Sequence, residues 1–204
     1  GVYRPGETVF MQALVRDGLV REVVDIFRLD PSALAKLNLG TPEEPRTFGE
    51  KNAARLVEAA RRAPELPLAR WIHALGIPEV GESVSKAIGG SHASLSEATE
   101  SVLLRAIVER ADLEIRRKAL GARTDGNKSR STDEKAAAKA EQADLKERIQ
   151  ALDARISTFP AASEIGPSAA RSAIAFFASE RGRSIVEGLR ALGIDPKGAP
   201  KAAV

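Results

Sequence analysis

Four stretches of this chain share a pattern that can bind phosphate. Residues 164–177 read EIGPSAARSAIAFF, 75–88 read LGIPEVGESVSKAI, and 47–60 read TFGEKNAARLVEAA; 4–14 give a weaker copy, RPGETVFMQAL. Each has an apolar residue or proline, then a glycine, then a polar or proline position, then an amphipathic stretch with helical spacing. A turn that passes into a helix through glycine lets the backbone come close to another molecule. The first N–H groups of that helix have no internal partner and sit at the positive end of its dipole. A phosphate oxygen satisfies them without any side chain reading a base, so such contacts are independent of nucleotide sequence. The candidate residues are Gly81, Glu82 and Ser83; Gly166, Pro167 and Ser168; Gly49, Glu50 and Lys51; and Gly6 in the degenerate first copy. Arg55, Lys86, Arg171 and Arg181, with Arg183 beside it, would add long-range attraction. One glycine before a helix is common in any helical protein, and four related copies carry more weight. The competing reading is an ordinary helical bundle with glycine in its turns.

Other chemistry is sparse. There is no cysteine, which excludes disulfides and thiolate metal sites. The two histidines, His73 and His92, stand 19 residues apart and read as packed or surface residues rather than metal ligands. No apolar window is long enough to span a membrane, and no signal peptide is visible. The net charge is +3. Residues 105–155 hold 13 of the 31 basic and 10 of the 28 acidic residues, which leaves 18 of each elsewhere. The whole basic surplus thus belongs to one segment, and any binding face outside it depends on how charges are placed.

The elements that must position these turns are helical. Alanine, leucine, arginine and glutamate dominate, and strand-forming runs are scarce. Asp30-Pro31 reads as an N-cap with proline at the first helical position, and Ser94 with Glu97 and Ser131 with Glu134 fit capping boxes. Leu56, Val57 and Ala60, and Leu68, Trp71, Ile72 and Leu75, form core-facing stripes. Leu104, Val108, Ala111 and Ile115, and Leu145, Ile149, Leu152 and Ile156, form two narrow seams on charged helices. These predict an inserted antiparallel helical hairpin over 101–156, an arm whose mixed charges favour a spacer or docking role over DNA contact. A polar loop is expected near 121–132. The expected organisation is all-α: motifs one to three over 1–100, the arm, a fourth motif over 157–194, and a linker over 195–204. A first residue of Gly rather than Met predicts a piece of a longer protein.

Between residues 13 and 194 the chain resembles the helix-hairpin-helix domain of bacterial NAD-dependent DNA ligases. The resemblance runs in order through ALVRDGLVREVVDIFRLDPSAL, FGEKNAARLVEAA, PLARWIHALGIPEVGESVSKAI, SEIGPSAARSAIAFF and SIVEGLRALGI. It implies a tandem array of four helix-hairpin-helix motifs, the first degenerate, gripping the minor-groove side of double-stranded or nicked DNA. Other domains of the parent ligase would carry out adenylation and sealing in replication and repair, in the bacterial cytoplasm at the nucleoid. Such hairpins can also hold a monovalent cation. Two departures stand out. The family's earlier hairpin glycine is replaced by Arg4, Thr47, Glu79 and Glu164, two of them acidic, and NLGTPEEPRT lengthens the second hairpin. The family's Lys-x-Asp-Gly motif is also missing; Arg123-Thr124-Asp125-Gly126 has no lysine in the right place. The resemblance therefore implies no catalytic residue, metal or small-molecule substrate in this chain. NAD, Mg and Zn would belong to domains outside it, the zinc domain before Gly1 and a further domain after Val204. Two alternatives stay open: a helix-hairpin-helix module of another DNA-repair protein, or a non-binding descendant that uses the arm for protein contacts.

Overall fold

A computed structural model describes residues 5–126 and 132–198, with side chains from residue 9 to 121 and from 133 onward. Among the described residues there are ten α-helices and no β-strand; the only β pairing is two isolated bridges, Asn38 with Thr47 and Ser94 with Lys197. The chain divides into two compact units. One runs up to Leu66 and takes in Arg183–Asp195; the other covers Pro67–Gly182 and the residues from Pro196.

The first unit contains α1 (Pro5–Arg16), a 3-10 turn (Val23–Arg28), α2 (Pro31–Ala35) and α3 (Glu50–Arg62). Asp30 caps α2 as its sequence predicts, its carboxylate accepting the Ala33 N–H at 2.8 Å, with Pro31 in the first helical position. Leu14, Leu34 and Leu37 are fully buried, with Ala53, Leu56 and Val57 packed on them from α3 and Phe10 stacked on Phe48. Gly6 is not placed as the sequence suggested. It lies inside the first turn of α1 rather than before it, because Pro5 already opens that helix. Arg4 lies outside the described residues.

The second unit contains α4 (Leu68–Ala74), α5 (Glu82–Ser91), α6 (Leu95–Thr99), α7 (Val102–Gly126), α8 (Thr132–Ser157) and α9 (Pro167–Ala178). The division between the units falls inside α10 (Glu180–Ala191). Helices α4 and α5 cross closely because Gly89 has no side chain; a Cβ there would sit 2.7 Å from the Ala69 nitrogen. Leu68, Ile72 and Ile88 are fully buried and Trp71 is half-buried. Ser94 caps α6 through its hydroxyl, and Glu97 reaches back to the Ala93 N–H at 2.6 Å. His92 is buried among its own chain, its ring nitrogens 2.7 Å from the Ile88 carbonyl and 2.7 Å from the Ser101 hydroxyl.

Helices α7 and α8 pack antiparallel, as shown by the pairs Arg110–Asp153 and Arg116–Glu141. The α8 seam is the one read from sequence: Leu145, Ile149, Leu152 and Ile156. The α7 seam is not. Its α8-facing line is Ala106, Leu113 and Leu120, whereas Ile115 is 64% exposed. The reason is that α7 packs against both α8 and α9 and so carries two apolar faces, and the expected single stripe ran across them. Helix α7 continues through Gly126 and α8 starts at Thr132, so residues 121–126 and 132 of the expected loop are helical. Residues 127–131, with Ser131 of the second capping box, lie outside the described residues.

The segment expected to be a linker from 195 is held down as far as Gly198. Pro196 is fully buried, and its carbonyl accepts the Leu95 N–H at 2.9 Å. The Lys197 carbonyl accepts the Leu68 N–H at 2.7 Å, and the Gly198 N–H donates to the Ala93 carbonyl at 3.0 Å. Leu68 and Leu95 open α4 and α6, so this strap satisfies N–H groups that the helices themselves leave unpaired. No described helix is long and apolar enough to cross a membrane.

Candidate nucleic-acid interface

Three of the glycine turns lead directly into helices. Gly49, Gly81 and Gly166 are the N-caps of α3, α5 and α9, and none of these helices has a side chain capping its start. The first-turn N–H groups therefore point outward from Glu50, Lys51 and Asn52, and from Glu82, Ser83 and Val84. In α9, Pro167 removes one donor and leaves those of Ser168 and Ala169. In the last two turns the residue before the glycine is buried, Val80 at 5% and Ile165 at 4% exposure, while Gly81, Glu82, Ser83, Gly166, Pro167 and Ser168 are exposed. An apolar anchor thus sits behind each presented turn. The Gly81 carbonyl is occupied inward, accepting both the Ser85 N–H at 2.9 Å and the Ser85 hydroxyl at 2.8 Å.

The three glycines differ in why they are glycine. Gly49 has φ +87° and ψ 152°, a region that side chains other than hydrogen rarely enter. Its N–H donates to the Ala35 carbonyl at 3.0 Å, closing a hairpin that Phe48 and Leu39 also tie through backbone bonds to Leu37 and Arg46. The lengthened hairpin is ordered by Asn38, whose side-chain oxygen accepts the Gly40 and Arg46 N–H groups, each at 2.9 Å. Gly81 and Gly166 have φ of −79° and −71°, values open to any residue, and a Cβ on either would meet nothing within 4 Å. The fold does not require glycine at these two positions, and serine or aspartate would cap the helix better.

The acidic replacements are both exposed. Glu79 holds φ +64°, so it keeps the left-handed backbone that glycine adopts at low cost, while Glu164 lies in the 3-10 turn Ala162–Glu164.

The supporting cations separate into two groups. Lys51 and Arg55 are exposed on α3, and Arg181 is exposed on α10. Lys86 pairs with Glu82 at 2.7 Å, one helical turn away. Arg171 is drawn toward the arm, where it pairs with Asp112 of α7. Three residues near these turns were not among the binding candidates read from the sequence. Arg70 and His73, on the exposed side of α4, line a slot of about 460 Å³ with Pro67, Ala69, Glu82 and Lys86. Lys36 similarly lies beside Gly49 and Glu50. Arg70 and His73 are three apart, which places them on one helix face; the apolar stripe between them, Trp71 and Ile72, obscured that signal.

No family model matches the chain. It is similar to curated DNA ligases. It is 40% identical over 199 residues to that of Akkermansia muciniphila, covering 91% of this chain and 25% of the relative. To the DNA ligase of Paracoccus denitrificans it is 34% identical over 190 residues, covering 88% and 23%. To that of Halorhodospira halophila it is 32% identical over 189 residues, covering 93% and 22%. About nine-tenths of this chain is therefore homologous to one segment of DNA ligases and spans about a quarter of their length.

Proposed function

We propose that this relative of a DNA-ligase segment is a helix-hairpin-helix module that grips the backbone of duplex or nicked DNA without reading its sequence. In this reading it serves an NAD-dependent ligase that seals nicks in replication and repair, with catalysis carried by other domains. The observation that carries the reading is at Gly81 and Gly166. Each opens a helix at an exposed turn, lacks any capping side chain, and is glycine where the fold would accept a larger residue. Closeness of approach to a partner explains that choice, and a phosphate oxygen suits the outward N–H groups.

The arm fits a spacer or docking role. Arg110, Arg116, Arg117, Lys118 and Arg148 all pair with carboxylates of α7 or α8, so five of the segment's 13 basic residues are engaged within the arm. Binding of the chain to a blunt duplex of arbitrary sequence, followed by fluorescence anisotropy across a salt series, tests the proposal. A log–log slope of roughly −3 to −6 is expected for a few phosphate contacts. Absence of duplex binding at low salt overturns it.

A further inference from the structure

The slot between α4 and α5 lies next to the Gly81 turn, and Glu82 belongs to both. Its titratable lining is Arg70 and His73 from α4 and Glu82 and Lys86 from α5, and all four are exposed. Glu82 is the only carboxylate among the lining residues and already engages Lys86 at 2.7 Å. Its hydrogen bond and charge contact with Lys86, with smaller contributions from His73 and Arg70, hold its carboxyl below the usual carboxylate range. Lys86 is thus already neutralised by the chain's own carboxylate, and Arg70 and His73 line the same slot.

We infer that this slot receives a second backbone phosphate, adjacent to the one at the Gly81 turn, held by Arg70, His73 and Lys86. Glu82 is the resident counter-ion that the incoming phosphate displaces from Lys86. The inference rests on the reading of the chain as a backbone-binding module. It gives Glu82 a double character: its N–H belongs to the binding turn, while its side chain opposes binding. Exchanging one anion for another at Lys86 keeps the lysine neutralised in both states. The slot thus discourages stray anions that bind more weakly than an anchored phosphodiester.

Anisotropy titrations of the full chain with a blunt duplex over a salt series test this. Arg70→Ala should weaken binding by about three- to tenfold and make the log–log salt slope shallower by about one unit, as loss of one phosphate contact requires. His73→Ala should weaken it by a smaller factor. Glu82→Gln, which retains the backbone N–H, should tighten binding by about threefold or more. Glu147→Gln on α8 makes the same change in net charge far from the slot in sequence and should have a smaller effect. Thermal melts check that all variants stay folded. The inference is overturned if Arg70→Ala leaves affinity and slope unchanged, if Glu82→Gln weakens binding, or if Glu147→Gln tightens it equally. Loss of the broader reading is distinct, because there the unmodified chain itself fails to bind.

Discussion

Gly49 and Gly81 occupy the same place in their repeats, each opening a helix without a capping side chain, yet they solve different problems. At Gly49 the backbone has φ +87°, and the hairpin closes through a bond from its N–H to Ala35. At Gly81 the backbone is ordinary, and open space surrounds the place a side chain would take. Gly166 repeats the second case. The first glycine is explained by the turn it makes, and the second, in the proposed function, by what must come near it. A recurring glycine in a sequence can thus record folding at one copy and contact at another.

The sharpest way to break this contrast is to fill the open positions. Gly81→Asp places a carboxylate where it caps α5 and repels phosphate, so duplex affinity should fall by tenfold or more, about what loss of hydrogen bonds to a charged group costs. Stability should change by only a few tenths of a kcal/mol. Gly166→Ala should also lower affinity and leave the melting temperature nearly unchanged. A fall in stability comparable to the loss in affinity would make these structural glycines like Gly49.

The converse substitution, Gly49→Ala, should cost about 1–3 kcal/mol of stability, because alanine is forced into a region almost reserved for glycine. Urea or thermal denaturation reads this as a clear downward shift, and an unchanged midpoint would remove the contrast. Smaller again is Glu79→Gly. The left-handed backbone at φ +64° suits glycine, and the exchange should stabilise by up to about 1 kcal/mol while removing an anion near the Gly81 turn. A lower melting temperature would show that Glu79 has a stabilising partner.

The smallest effect concerns a side-chain-capped turn. Asp25 accepts the Glu22 and Arg21 N–H groups, each at 2.8 Å, and these bonds hold its carboxyl below the ordinary range. A lowered folded-state pKa stabilises fully above the unfolded value and loses that effect as pH falls through the folded one. Asp25→Asn should therefore be less stable than the parent at neutral pH, with the gap closing under acid. A gap that persists at low pH assigns the effect to something other than the charge.

Much of the fold was legible because its signals are local. The Asp30 and Ser94 caps, the α8 seam and the core stripe at Leu68 and Ile72 follow from spacing along a helix, and spacing is written in the chain. The failures share another cause. Ile115 is exposed because α7 answers to two neighbours, and Arg171 turns to Asp112, 59 residues away. Residues 196–198 read as a linker by composition, yet they are held by the open ends of α4 and α6. Arg70 and His73 went unmarked as binding candidates because their meaning depends on Glu82 and Lys86 across the slot.

By itself the sequence determined that this chain is helical, that its glycine turns recur in order, and which family segment it resembles; periodicity, capping residues and repeats are properties of short stretches. Only the tertiary structure separated the glycine demanded by φ at Gly49 from the glycines left in open space at Gly81 and Gly166. Backbone torsion and the room around a missing Cβ depend on how the chain is folded around each position, and no reading of residue types alone contains them.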